Sequence, residues 1–263
     1  MSAYLWLIPI GFVVGAFGTI IGVGGGFLLV PVLLLFYPEQ STETITSISL
    51  AVVFFNALSG SLAYARMGRI NYRFGVWFSL ATVPGAILGV LTTPFFPRRA
   101  FEAIFGFFMV LLAAFLLLRF NNEQNTQEYK AANRASNSNK EPRNLGRGIV
   151  FSLFIGYISS VLGIGGGILH VPTMVTLLNF PVHIATATSQ FTLAIMAFTG
   201  TVGHIALGTF QQSIRETVAL AVGALLGAPI GARFSNRLEA GWIMRSLAIT
   251  LGFVGIRIFL KAL

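Results

Sequence analysis

The chain has 263 residues, 55% apolar and only 10% charged, with a mean hydropathy of +0.81 and a formal net charge of +9. Soluble domains carry about 25% charged residues, and a chain this apolar has more hydrophobic surface than one water-soluble core can hide, so lipid is its expected solvent. Cysteine is absent, which excludes disulfides, thiolate metal sites and cysteine nucleophiles; the Lys and Arg residues lie between apolar runs, where membrane topology places them, and not in a nucleic-acid-binding patch.

The N-terminal stretch Met1–Phe17 is apolar from the start, without a basic leading region or a small-residue cleavage site. It is expected to be the first membrane segment and not a removed signal peptide. Five apolar segments precede a polar stretch: Tyr4–Val23, Phe27–Phe36, Ile45–Ala65, Phe74–Pro94 and Phe101–Leu118. The linker from Arg119 to Arg147 is rich in Asn, Ser, Glu, Lys and Arg and reads as solvated. Five further segments follow: Gly148–Gly163, Ile168–Leu178, Ile184–Ala206, Thr217–Ala232 and Ile243–Leu260. Open strand edges are not tolerated in lipid, and the runs lack barrel alternation, so each is expected to be helical.

The two halves repeat. Gly22-Val-Gly-Gly-Gly-Phe-Leu-Leu-Val-Pro31 matches Gly163-Ile-Gly-Gly-Gly-Ile-Leu-His-Val-Pro172, 141 residues on. Ser59-Gly60-Ser61 matches Thr199-Gly200-Thr201, and Gly85-x-x-x-Gly89 matches Gly227-x-x-x-Gly231, at nearly the same offset. Matches in one order at near-constant spacing indicate an internal duplication. The predicted fold class is therefore an all-α polytopic membrane protein of two repeats, 1–118 and 148–263, joined by the linker 119–147. With five segments each, an odd number, the second repeat is expected to be inverted.

Charge sets the expected orientation. Arg66, Arg69, Arg73, Arg233, Arg237 and the six basic residues from Arg119 to Arg147 share one side. Arg98, Arg99, Arg215, Arg257 and Lys261 share the other. The richer side is expected to be cytoplasmic, putting the linker inside and both termini outside, periplasmic or extracellular, of a cell inner (plasma) membrane.

Tyr4–Tyr37 is too long for one straight span, about 51 Å of helix against a hydrocarbon core of about 30 Å. It must fold back or break, and Gly24-Gly25-Gly26 is the place. The arm that follows is too short to cross, and Gly165-Gly166-Gly167 with Ile168–Leu178 repeats the design. Whether these arms are re-entrant or join crossing helices stays open. Short, Gly-interrupted segments at matching places in two halves point to a transporter's binding site. Helix N-termini there would present N–H groups and positive dipole ends to an anion. The Gly15, Gly18, Gly22 series and Gly85-x-x-x-Gly89 read instead as close helix packing.

Polar side chains in the third segments, Ser47, Ser49, Asn56, Ser59 and Ser61, and Thr186, Thr188, Ser189, Gln190, Thr192, Thr199, Thr201 and His204, are expected to face a bundle or cavity. Most Ser and Thr would serve interhelical hydrogen bonds. Asn56, Gln190 and His204 are the candidate anion donors, since amides and imidazole donate well to oxyanions. His170, in place of Leu29 of the first half, is either a proton carrier or a snorkelling interface residue; His183 falls in a predicted loop. No catalytic group, metal site or cofactor is expected: the histidines lack companion ligands, and no carboxylate lies deep in an apolar run.

The duplicated G-x-G-G-G-x-x-x-x-P element at Gly22–Pro31 and Gly163–Pro172 resembles the signature of the TauE/SafE sulfite exporter family, as do the two-half architecture and the later Gly-x-x-x-Gly of each half. The resemblance implies an inner-membrane carrier for sulfur-containing anions such as sulfite, thiosulfate or organosulfonates, with Gly24, Gly25, Gly26, Gly165, Gly166 and Gly167 in the substrate region. The expected function is thus a secondary transporter exporting such an anion by alternating access, one half rocking on the other. An anion channel is the alternative, and a homodimer is compatible with a compact carrier.

Overall fold

The computed structural model describes residues 4–120, 145–210, 213–235 and 240–262. Most of the predicted linker 119–147, and Arg237, lie outside the described residues. Among the described residues there are ten α-helices and no strand. The first half holds α1 (Leu7–Ile21), α2 (Gly26–Phe36), α3 (Thr42–Arg66), α4 (Tyr72–Thr92) and α5 (Arg98–Phe120). The second holds α6 (Leu145–Leu162), α7 (Gly167–Thr176), α8 (Val182–Ala206), α9 (Ile214–Ser235) and α10 (Ala240–Ala262). Five of them, α3, α4, α5, α6 and α9, are long and apolar enough to cross a membrane.

Local chemistry sets the helix ends. The Ser41 side chain accepts from the Thr44 N–H, so α3 begins three residues ahead of the apolar run that announces it. Asn71 caps α4 through the Phe74 N–H in the same way. The breaks after α1 and α6 are glycine-driven: Gly22, Gly24, Gly25, Gly163, Gly165 and Gly166 all have φ between 66° and 84°, where a Cβ is strained.

Both glycine breaks are reversals. Trp6, just before α1, packs edge-on against Phe36, the last residue of α2, with ring centroids 5.1 Å apart. In the second half a Cβ on Gly148, near the start of α6, would lie 3.1 Å from Leu178, just past the end of α7. Each half therefore opens with a helical hairpin whose tip is the triple-glycine turn. The returning arms, 11 and 10 residues long, reach about 15 Å, half the hydrocarbon thickness.

The helices pair across the halves more than within them. α1 packs on α9 and α6 on α4; α3 crosses α8; α5 lies along α10; α3 also contacts α9, and α8 contacts α4. Exchanging the halves maps this pattern onto itself. Glycine lets the backbones touch: a Cβ would fall 2.1 Å from Ala16 O at Gly231, 2.2 Å from Phe12 O at Gly227 and 2.1 Å from Leu153 O at Gly85. Of the glycines expected to pack helices, Gly15 meets Ala224, Gly22 meets Thr186 and Gly85 and Gly89 meet Leu153 and Tyr157, all in the other half, whereas Gly18 packs on Gly24 and Gly25 of its own hairpin. α3 and α8 run antiparallel, since Gly60 faces Gln190 while Gly200 faces Leu50. Large exposed apolar side chains, Phe107, Leu118, Leu226 and Phe253 among them, cover the outside, as lipid contact requires.

Candidate functional site

The two glycine turns meet at the centre of the molecule. A Cβ on Gly26 would sit 2.7 Å from Ile164 O, and one on Gly167 2.6 Å from Gly22 O. Gly24 and Gly165 both face the same two side chains, Val53 of α3 and Leu193 of α8. The six predicted glycines are thus brought together, with Gly25 against Val14 of its own hairpin and Gly166 beside Met196 and His170. The backbones at Gly26 and Gly167 touch Ile164 and Gly22 of the opposite turn, so the turns stand tip to tip.

Side chains lock that junction. Ser49 Oγ donates to Gly163 O at 2.6 Å, and its repeat counterpart Ser189 Oγ donates to Gly22 O at 3.0 Å. Most other predicted polar positions bond locally or between helices. Ser47, Ser61, Thr186, Thr199 and Thr201 donate to carbonyls one turn back, Ser59 to Leu225 O, and Thr188 accepts from the Asn71 N–H. These are structural roles.

Asn56 and Gln190 differ. Both are fully buried. Asn56 Oδ1 accepts from Thr19 Oγ1 at 2.9 Å, while Asn56 Nδ2 and both amide atoms of Gln190 have no partner. Thr19, Asn56 and Gln190 converge on Gly60: a Cβ there would lie 3.3 Å from Thr19 Oγ1 and 3.5 Å from Gln190 Cδ. Asn56 is one turn beyond Val53 and Gln190 one turn before Leu193, so the cluster flanks the glycine junction. Thr19 O in turn accepts from Tyr64, whose hydroxyl is also 2.9 Å from Ser235 Oγ.

The repeat-related flank carries no amide, but it holds the Ser160 hydroxyl at the repeat position of Thr19. Gly200 faces Leu50 and Ser160, and Met196 stands where Asn56 stands in the first half. Ser159 Oγ and Ser160 Oγ are buried without partners. The duplicated frame therefore carries amides on one side and serine hydroxyls without partners on the other. Thr19 and Gly60 carry this geometry and drew no attention as ligand positions in the sequence; their only signals are Thr19's place one turn before Gly22 and the Gly60–Gly200 repeat match.

The histidines separate from this site. His204 lies fourteen residues beyond Gln190 on α8, about 21 Å of helix. Its Nδ1 meets Thr209 Oγ1 at 3.2 Å and its Nε2 is buried without a partner. It occupies the repeat position of Tyr64, so it is not grouped with Asn56 and Gln190. His170 is buried, its ring between Gly166 O and Ser152 Oγ and stacked on Phe78, which rules out a snorkelling role. His183 is in the first turn of α8, not in a loop, and its Nδ1 is buried.

Elsewhere, Arg98 bonds Glu102 at 2.9 Å and the carbonyls of Leu34, Tyr37, Pro38 and Gln40, capping α2. A cavity of about 330 Å³ opens between α2, α5 and α10, lined by Leu28, Pro31, Glu102 and Arg257 among others. Among the described residues no three His, Cys, Asp or Glu side chains gather.

Residues 7–258 match the family described as Sulfite exporter TauE/SafE. A probable membrane transporter protein of Bacillus subtilis, YunE, is 28% identical over 99% of both chains. A probable membrane transporter protein of Methanocaldococcus jannaschii is 23% identical over 95% of this chain and 93% of its own. One of Sinorhizobium is 28% identical over 94% of this chain and 88% of its own. No solved structure matches.

Proposed function

The chain belongs to the sulfite exporter TauE/SafE family and is a multi-pass membrane transporter of that type, and on that premise we propose that it exports a small sulfur-containing anion, sulfite, thiosulfate or an organosulfonate, by alternating access. The observation that carries this reading is the tip-to-tip meeting of two glycine turns beside buried amides without partners. Buried polar groups cost free energy unless paired, so unpaired amides at membrane depth mark a ligand position. In this reading the three helices after each hairpin, α3–α5 and α8–α10, cross the membrane, an odd number per half, and α3 opposes α8. This supports oppositely oriented halves, with the linker and the Arg-rich loops inside and both termini outside an inner membrane.

The moving bodies in this reading are not the sequence halves. α1 is bound to α9 and α6 to α4 by backbone contact, so the units that separate are α1–α3–α9 and α6–α4–α8. They part at the α3–α8 crossing, where the anion sits. Membrane potential, negative inside, drives the anion outward.

The test is uptake of labelled sulfite, thiosulfate and a simple alkanesulfonate into proteoliposomes. Saturable flux at carrier rates supports the reading. Unitary current steps across a planar bilayer would favour an anion channel instead, and silence with every sulfur anion would overturn the substrate class.

A further inference from the structure

Resting on that transport reading, we propose that the cluster at Gly60 takes an anion of single charge that brings its own O–H or N–H donor. Gln190 is 0% exposed, and both its amide oxygen and its amide nitrogen lack partners. Turning the amide over exchanges the two atoms and still leaves one donor and one acceptor to be met. Asn56 adds N–H donors, its oxygen being taken by Thr19. The groups that converge on Gly60 thus offer several N–H bonds to oxyanion oxygens and one carbonyl oxygen that asks for a hydrogen.

None of these groups is charged. A dianion such as sulfate would meet amide dipoles with no cation to offset its desolvation, and its oxygens would face the Gln190 carbonyl lone pairs. A monoanion bearing a hydroxyl, an amino group or an acidic proton satisfies both sides of the amide. The repeat-related flank, Leu50, Met196 and Ser160 around Gly200, offers a lone unpaired hydroxyl and no amide. The paired donor and acceptor that the ligand meets are therefore on the amide flank, and the duplication's symmetry is broken in the chemistry of the two flanks. Even a Cβ at Gly60 would fall 3.0 Å from Thr19 Cγ2 and 3.5 Å from the Gln190 amide carbon, so the cluster is closed in this conformation and admits the anion when α3 and α8 part.

The experiment is competition against labelled sulfite uptake in proteoliposomes, with 2-hydroxyethanesulfonate and 1-propanesulfonate, which puts a methyl where the hydroxyl was. The native chain is compared with Gln190→Leu, which copies Leu50, and with Gln190→Met as a second variant of similar bulk. The hydroxylated sulfonate is expected to compete at least about tenfold better in the native chain, and the preference to fall within about twofold in either variant. Equal competition in the native chain overturns this inference and leaves the transport reading standing. Absent sulfite uptake overturns the transport reading and this inference with it. If sulfite moves and neither sulfonate competes, a pH series decides: uptake that follows the hydrogensulfite fraction supports the inference, and uptake that follows the dianion overturns it.

Discussion

Ser49 hands its hydroxyl hydrogen to the carbonyl of Gly163 across 2.6 Å, so a crossing helix of the first half holds the turn of the second. The Ser189–Gly22 bond does the same in reverse. Removing either hydroxyl leaves a buried carbonyl unmet. Ser49→Ala is expected to cost about 1 kcal/mol, and the double variant with Ser189→Ala about twice that, read as thermal unfolding in detergent.

Gly231→Ala should be worse than its single methyl suggests. The new Cβ would fall 2.1 Å from the Ala16 carbonyl oxygen, and backbone cannot yield as a side chain can. A loss of about 1–3 kcal/mol is expected from overpacking. Gly252→Ala is the control: its nearest contact would be at 3.5 Å, and Ala favours helix by about 1 kcal/mol over Gly. That variant should melt at or above the native temperature.

Arg98→Ala removes the counter-charge of Glu102, which is 5% exposed, and strips the cap from α2. The expected loss is about 3 kcal/mol. Adding Glu102→Gln should return part of it, because the stranded charge is then gone. A double-mutant cycle of melting temperatures checks this.

Gly60→Ala should leave the melting temperature within about 2 °C of native, the nearest side chain being a Thr19 methyl that can shift. Sulfite flux into proteoliposomes should nonetheless fall about tenfold or more. Equal loss at Gly200→Ala would argue against the amide flank as the one that binds the anion.

Much of this architecture was legible beforehand. Three consecutive glycines followed by a short apolar arm signal a break, and the order of matches from Gly22 to Gly231 signals duplication. The spacing of Gly85 and Gly89 marks a packing face. It does not say which helix the face meets, because any small-residue stripe accepts any other; that α4 takes α6, from the other half, is decided by tertiary packing. Nor could the sequence decide that the arms fold back, which rests on Trp6 meeting Phe36. Asn56 and Gln190 stood out as amides in apolar runs, and so did His204, but polarity alone does not give depth along a helix. Gly60 and Thr19 were silent because their contribution is the space and the single bond they give to others.

The exchange of partners between α1 and α9 has a consequence for biogenesis. α1 enters the bilayer with its glycine face bare, and the helix that covers it is made only after α8 is complete. Until then the first hairpin has to wait, shielded by lipid or by the insertion machinery, and neither half made alone could close its own seams. A single copy of the repeat would lack the helix that covers its glycine face, so only a second molecule could close its seams.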